Sequence, residues 1–143
     1  MTPVAAEAAA DGGDEAPAGR TSWVGTVLLV EDSVSLRALL AEALAEDRYE
    51  VLVAQDGTHA VQIARERPDI DVLVADVVMP DLDGWVLAVR LSEERPGIRV
   101  LLMSGVADAT PRDDRLVDVA TDFLAKPFTP LEMREALTRL LAP

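Results

Sequence analysis

The chain has 143 residues, which is enough for one domain with a continuous core and too few for two domains of ordinary size. Its formal net charge is −13, with 26 acidic against 13 basic side chains, and this balance disfavours a nucleic-acid-binding surface. The absence of cysteine excludes disulfides, thiolate metal sites and thiol nucleophiles.

Residues 1–22 are rich in Ala, Gly and acids and have no sustained periodicity, so we expect a disordered tail here and a folded domain over 23–143. The acids Glu7 and Asp11 stand where a signal peptide would be positively charged. No apolar run reaches the roughly 18 residues that a membrane-spanning helix needs. We therefore expect a cytoplasmic protein that does not enter the membrane.

Five short apolar runs follow the tail, and most are continuous rather than alternating, which predicts strands buried on both faces. They are TVLLV (26–30), EVLVA (50–54), DVLVAD (71–76), IRVLLMS (98–104) and DFLA (122–125). Segments of helical period separate them. The five β-then-α units predict an α/β fold with a doubly wound, five-stranded parallel sheet and helices on both faces.

The helical segments differ in how clearly they are marked. In the first, an apolar face is predicted from Leu36, Leu39, Leu40, Ala43 and Leu44. The last has a defined start, because Thr129, Pro130 and Glu132 form a capping pattern with proline at the first helical position. Asp83, before Gly84, is also expected to cap a helix. The weakest helical pattern lies somewhere in 110–120.

Polar side chains follow four of the five predicted strands. They are Glu31 and Asp32 after the first, Asp76 at the end of the third, Ser104 (followed by Gly105) at the fourth, and Lys126 (followed by Pro127) after the fifth. In such folds the carboxyl ends of the strands form the ligand-binding edge of the sheet. Three carboxylates converging there repel one another and need a positive partner.

The available ligands for a cation at this edge are oxygens alone, which selects a hard ion, and a shallow site with room for water suits Mg²⁺ better than Ca²⁺. Lys126 is the sole lysine of the chain, all other basic side chains being arginine. A compact ammonium on a flexible stem can reach a carboxylate across the pocket, whereas the guanidinium of arginine demands a planar, bidentate geometry.

The segments VLLVEDS, VLVADVVMPDLDGW, VLLMSG and FLAKPF, in this order and spacing, resemble the receiver domain of two-component response regulators over almost all of 23–143. The resemblance implies a flavodoxin-like sheet with strand order 2-1-3-4-5. It also implies that Asp76 is the phosphoacceptor. In the metal site, Asp32 would be a direct Mg²⁺ ligand, Glu31 would act through bound water, and the main-chain carbonyl of Val78 would complete the set.

The family further implies that Ser104, Gly105 and Lys126 contact the phosphoryl group, that Phe123 is coupled to its arrival, and that the Lys126-Pro127 bond is cis. The expected function is a phosphorylation switch and not a separate enzyme: a phosphohistidine on a histidine kinase or phosphotransfer protein donates to Asp76. Because Val78 and Val106 cannot orient water, we expect slow self-dephosphorylation.

Only Ala142 and Pro143 follow the last helical segment, which favours a stand-alone receiver whose surface around segment 110–120, the fifth strand and the last helix contacts a separate protein. The first helix is the expected docking surface for the phosphoryl donor. A receiver excised from a hybrid histidine kinase is the alternative.

Two other classes fit less well. A Toprim-like metal-dependent phosphotransfer enzyme would use Glu31 with Asp81 and Asp83, but that pair lies past Pro80 in a loop and leaves Lys126 without a role. A flavodoxin needs a hydroxyl- and glycine-rich phosphate loop after the first strand, where this chain is acidic.

Overall fold

The computed structural model of the protein describes residues 23–105, 114–116 and 118–142. The predicted tail, 1–22, lies outside the described residues. The same holds for Val106 and, within segment 110–120, where a further helix was expected, for 110–113 and 117.

Five strands form one parallel sheet in the order β2-β1-β3-β4-β5. They are β1 (Gly25–Val30), β2 (Tyr49–Ala54), β3 (Val72–Asp76), β4 (Arg99–Ser104) and β5 (Thr121–Ala125). Each boundary lies within one residue of the predicted apolar run. The predicted α/β class and strand order are therefore confirmed.

Four α-helices are found in the described part of the chain: α1 (Val34–Glu46), α2 (Gly57–Glu66), α3 (Gly84–Glu94) and α4 (Pro130–Leu141). Between β4 and β5 the described residues hold a single 3-10 turn, Asp114–Leu116. None of the helices described is both long enough and apolar enough to pass through a bilayer.

The helices cover both faces of the sheet. Leu28 and Leu73 belong to the apolar cluster beneath α2 and α3, whereas Leu29 and Val74 belong to the cluster beneath α1 and α4. Neighbouring residues of one strand thus enter opposite cores, as the pleat requires. This explains why β1 and β3 read as continuous apolar runs rather than as alternating ones.

The prediction for the inward face of α1 was partly wrong. Leu40 and Leu44 are buried as expected, but Leu39 is 56% exposed, and Ala41, which is not on the predicted face, is buried. Apolar residues stand on several sides of this helix, so its period does not determine which side faces the sheet. The packing of α1 against β2 and β1 decides it.

The predicted caps are confirmed. Asp83 accepts a hydrogen bond from the Val86 N–H at 2.8 Å. Thr129 and Glu132 form a reciprocal capping box: the Thr129 hydroxyl accepts from the Glu132 N–H at 3.1 Å, and the Glu132 carboxylate accepts from the Thr129 N–H at 2.8 Å. These bonds fix where α3 and α4 begin, directly after the loops that follow β3 and β5.

Candidate functional site

The parallel register brings the predicted site residues to one edge of the sheet. Val30 pairs with Ala75, Asp76 with Met103, and Ser104 with Ala125. The strands β1, β3, β4 and β5 therefore end side by side. The side chains that follow them meet across distances of a few ångströms.

Lys126 lies between two buried carboxylates. Its Nζ is 2.6 Å from Asp76 Oδ1 and 3.1 Å from Glu31 Oε1. The side chains of Glu31 and Asp76 are 1% and 5% exposed, and that of Lys126 is 27% exposed. One ammonium thus compensates two carboxylates that are shielded from water.

Glu31 is held from several directions. Its Oε2 accepts from the Ser33 N–H at 3.0 Å, and its main-chain carbonyl accepts from Arg37 Nη1 at 2.8 Å. Burial opposes the ionisation of this carboxyl, but hydrogen bonds from Asp76, Ser33 and Lys126 outweigh burial and lower the pKa of Glu31. Glu31 is therefore the carboxylate that stays charged.

Asp76 has the opposite tendency. Burial, together with its hydrogen bond to Glu31 and the charge of Glu31, raises the pKa of Asp76 to about 7, against the lowering effect of Lys126. The pKa of Lys126 is raised, because its contacts with Asp76 and Glu31 outweigh its own desolvation. Near neutrality the pocket therefore holds an excess of negative charge that a single ammonium does not fully compensate.

This arrangement fits a divalent cation. Glu31, Asp32 and Asp76 each offer a carboxylate oxygen within 4.8 Å of the others, and among the described residues they are the one such acidic or histidine-containing group. Asp32 is exposed, so the cluster opens to solvent on one side. All ligand atoms of this cluster are oxygens, which Mg²⁺ prefers. A bound Mg²⁺ would also favour the ionised form of the buried Asp76 carboxylate.

The remaining predicted residues border the same edge. The Lys126 N–H donates to the Ser104 carbonyl at 2.7 Å, and the Lys126-Pro127 bond is cis, as predicted. Ser104 is buried and Gly105 is exposed. The side chain of Val78 is 75% exposed.

Sequence reasoning missed the role of Gly84. Its N–H donates to the Val77 carbonyl at 2.8 Å, and a Cβ at this position would lie 2.2 Å from the Asp76 carbonyl oxygen. Such a distance is far inside van der Waals contact, so only glycine allows α3 to begin this close to Asp76. The Asp-Gly pair at the helix start is the available signal, but on its own it predicts only a cap.

Asp81 and Asp83, the acid pair of the Toprim-like alternative, both accept hydrogen bonds from helix starts, and Asp83 is the N-cap of α3. Asp81 accepts from the N–H groups of Gly57 and Thr58 and, at 2.6 Å, from the Thr58 hydroxyl, so it binds the start of α2. The Thr58 hydrogen bond is the main reason why the pKa of Asp81 is lowered. The geometry does not bring this pair to Glu31.

Phe123 lies at the site's flank on β5 and is 40% exposed. Its ring packs on Trp85, the second residue of α3, with 5.4 Å between ring centroids and 47° between ring planes. Trp85 was not predicted to take part. No short-range pattern connects residues 38 positions apart.

The fold and the site define a class of protein. Residues 27–138 match the family model described as the response regulator receiver domain. The chain belongs to this family, whose members are signalling domains rather than one of the common enzyme families.

Curated relatives place the same domain in longer proteins. The chain is 39% identical over 124 residues to the transcriptional regulatory protein TcrA of Mycobacterium tuberculosis (strain ATCC 25618 / H37Rv), covering 87% of the chain and 47% of TcrA. It is 34% identical over 117 residues to the sensor kinase CckA of Brucella abortus (strain 2308), covering 81% of the chain and 12% of the kinase. The chain thus spans half or less of the length of these relatives.

Solved structures agree with the fold. The chemotaxis protein CheY4 of Vibrio cholerae superposes with a TM-score of 0.72 at 30% identity, covering 82% of this chain and 98% of CheY4. The receiver domain of the sensor histidine kinase PA1611 of Pseudomonas aeruginosa PAO1 gives a TM-score of 0.68 at 27% identity, covering 81% and 96%. That structure has a magnesium ion coordinated in its active site cleft.

Proposed function

We propose that the chain is a phosphorylation-activated switch that accepts a phosphoryl group from a phosphohistidine onto the carboxylate of Asp76, with Mg²⁺ bound. The observation that carries the proposal is the position of Lys126 Nζ, within 2.6 Å of Asp76 and 3.1 Å of Glu31. A buried acid, a lysine ammonium beside it and an acidic cluster that can bind a metal ion are the parts that phosphoryl transfer needs.

Mg²⁺ would be held by Asp32 and Asp76 directly, by Glu31 through water and by the main-chain carbonyl of Val78. When bound, it supplies positive charge for the oxygens of the transferred group. The chain's own acidic cluster supports this assignment, because its three carboxylates carry more negative charge than Lys126 compensates.

In the transfer, a carboxylate oxygen of Asp76 attacks the phosphorus in line with the scissile P–N bond. The P–O bond forms as the P–N bond breaks, and the imidazole of the donor leaves. Asp76 must be deprotonated to attack, and Lys126 holds its carboxylate in place and compensates charge on the phosphoryl oxygens. No histidine base in the chain is needed.

The product adds a doubly charged group next to Ser104, Gly105 and Lys126. A unit charge pair at 4 Å is worth about 4 kcal/mol at an effective dielectric of 20. Reversing a population from 1:99 to 99:1 takes about 5.5 kcal/mol. One ion pair is therefore insufficient, and a hydrogen bond from the Ser104 hydroxyl with a movement of Phe123 would supply the rest.

The partners are a histidine kinase or phosphotransfer protein as donor, docking at α1, and a separate protein as target. A cytoplasmic location stays a prediction from the sequence. So does slow self-dephosphorylation, which is expected because Val78 and Val106 cannot orient a water molecule. A second candidate, the receiver part of a hybrid histidine kinase, is favoured by the match to a sensor kinase of which the chain covers 12%.

The proposal is tested by incubating the full chain with Mg²⁺ and acetyl phosphate and measuring its intact mass. Wild type is expected to gain one phosphoryl group and Asp76→Asn none. Asp83→Asn is the matched control, because it removes a carboxylate that serves only as a helix cap. No adduct on wild type, or an equal adduct on Asp76→Asn, would reject the proposed function.

A further inference from the structure

The aromatic pair of Trp85 and Phe123 joins the start of α3 to β5. The two rings are tilted by 47° with centroids 5.4 Å apart, a geometry in which aromatic rings attract each other beyond the effect of burial. Trp85 is 7% exposed, whereas Phe123 is 40% exposed. The buried ring is therefore a platform that stabilises Phe123 in its half-exposed position.

Trp85 is connected to Asp76 through a short and rigid stretch of backbone. Gly84, the residue before Trp85, donates its N–H to the Val77 carbonyl at 2.8 Å, and its Cα hydrogens face the Asp76 carbonyl in a space that excludes a methyl group. The Val77 N–H donates to Met103 in β4 at 2.8 Å. A shift of the backbone at Asp76 cannot be absorbed here without moving the start of α3.

The indole of Trp85 carries an unpaired donor. Its Nε1 is buried, and none of the residues that the structure describes accepts a hydrogen bond from it. Buried indole N–H groups usually find an acceptor, so the unpaired group raises the free energy of this conformation relative to any in which an acceptor is offered. A rearrangement around Trp85 that offers this N–H an acceptor would therefore be favoured.

We propose that Trp85 is a positioning residue that holds Phe123 half-exposed while Asp76 is unmodified and changes its contacts when Asp76 is modified. This inference rests on the proposed function and extends it, because it names the route by which the end of β3 communicates with β5. At one end of this route the rings of Trp85 and Phe123 have centroids 5.4 Å apart. At the other end the backbone of Gly84 lies against the carbonyl of Asp76.

A purely structural tryptophan would behave differently. It would contribute to stability, and its indole would report nothing about Asp76. The chain provides an internal standard for this distinction in Trp23, which packs against the cluster beneath α1 and α4 on the opposite face of the sheet. Trp23 and Trp85 are the two tryptophans of the sequence.

The experiment follows both indole N–H signals in ¹H–¹⁵N NMR spectra of the full chain, assigned with Trp23→Phe. On addition of Mg²⁺ and beryllofluoride, which mimics the acyl phosphate, the Trp85 indole is expected to shift and the Trp23 indole to stay. Asp76→Asn should abolish the shift, and Phe123→Leu should reduce it. Backbone amides of Asp76 and Val77 report the adduct in the same spectra.

The two proposals fail in different ways. If the amides of Asp76 and Val77 shift while the Trp85 indole does not, the inference is overturned and the proposed function stands. If neither set of signals shifts, the proposed function fails and the inference fails with it. Equal shifts of both indoles would indicate a global change and would also overturn the positioning role.

A pair of variants supplies a second test. Trp85→Leu removes the ring contact that favours the unmodified conformation, so the apparent affinity for beryllofluoride should rise about threefold to tenfold. Trp85→Phe keeps a ring against Phe123, should fold more readily, and is expected to stay within about twofold of wild type. If Trp85→Leu fails to fold, a Trp85→Phe affinity more than about tenfold from wild type contradicts the inference. Equal affinities of wild type and a folded Trp85→Leu do so as well.

Discussion

Lys126 Nζ lies 2.6 Å from Asp76 Oδ1, although Asp76 ends β3 and Lys126 follows β5, and the lysine also contacts Glu31 at 3.1 Å. This relationship explains why a chain with twelve arginines has one lysine. The ammonium fits between two carboxylates that are almost completely buried, where a planar guanidinium would impose its own geometry.

Replacing Lys126 by arginine tests whether the site needs only a positive charge or also the compact shape of the ammonium. In Lys126→Arg the positive charge remains, so we expect the Mg²⁺ affinity to stay within about threefold of wild type. The bulkier guanidinium cannot follow the phosphoryl oxygens. At saturating beryllofluoride, the amide signals of β4 and β5 should therefore shift less than they do in wild type. Spectra of the two adducts that coincide would contradict the role given to the ammonium.

The raised pKa of Asp76 makes stability depend on pH. In the folded state this carboxyl has a pKa of about 7 against an ordinary 3.8, so the folded chain binds more protons than the unfolded chain between these values. Its contribution therefore destabilises the fold progressively as pH rises from about 4 to about 7.

Without divalent cations, Asp76→Asn should accordingly gain about 2 kcal/mol in unfolding free energy relative to wild type between pH 5 and pH 8. Urea unfolding at both pH values, with EDTA present, measures this difference. Asp83→Asn is the control for losing a carboxylate. Parallel pH profiles of wild type and Asp76→Asn would refute the assigned ionisation.

Asp81 ties the loop after β3 to the start of α2. Asp81→Ala removes three hydrogen bonds at that helix start and should destabilise the chain by about 1–2 kcal/mol. Hydrogen exchange at the Gly57 and Thr58 amides should accelerate. Asp81→Asn, which keeps an acceptor oxygen, should lose less, and a similar loss in both variants would argue against capping.

Glycine is required at position 84 because the Asp76 carbonyl lies too close for a side chain, and not because of its backbone angles. Gly84→Ala places a methyl group 2.2 Å from the Asp76 carbonyl oxygen, so we expect about 2–3 kcal/mol of destabilisation and weaker Mg²⁺ binding. Gly25→Ala meets its nearest atom at 3.4 Å and serves as the control. Comparable unfolding midpoints for the two variants would contradict the close approach.

Much of the fold and of the site was predictable from the sequence. Continuous apolar runs marked β1, β3 and β4 because these strands are covered on both faces. The polar residues at the ends of β1, β3 and β5 located the edge where Glu31, Asp76 and Lys126 meet. Local patterns suffice for this because the ends of parallel strands converge whatever the helices between them contain. The strand order came from the family resemblance.

The missed features are contacts between distant parts of the chain. The bond from Asp81 to Thr58 spans 23 positions, and the rings of Trp85 and Phe123 are 38 positions apart. The helical period of the apolar residues predicts that Leu39 faces inward, yet the orientation of α1 depends on its packing against two strands. Tertiary packing determines these contacts and this orientation, and no periodic pattern in the sequence indicates them.

The central claim is that Asp76 alone receives the phosphoryl group, and site mapping tests it most directly. After incubation with Mg²⁺ and acetyl phosphate, borohydride reduction converts a phosphorylated aspartate to homoserine, which tandem mass spectrometry locates in the peptide. The account predicts homoserine at position 76 and at no other aspartate. Homoserine at Asp32, Asp81 or Asp83, or an intact Asp76 in a chain that carries phosphate, would contradict it.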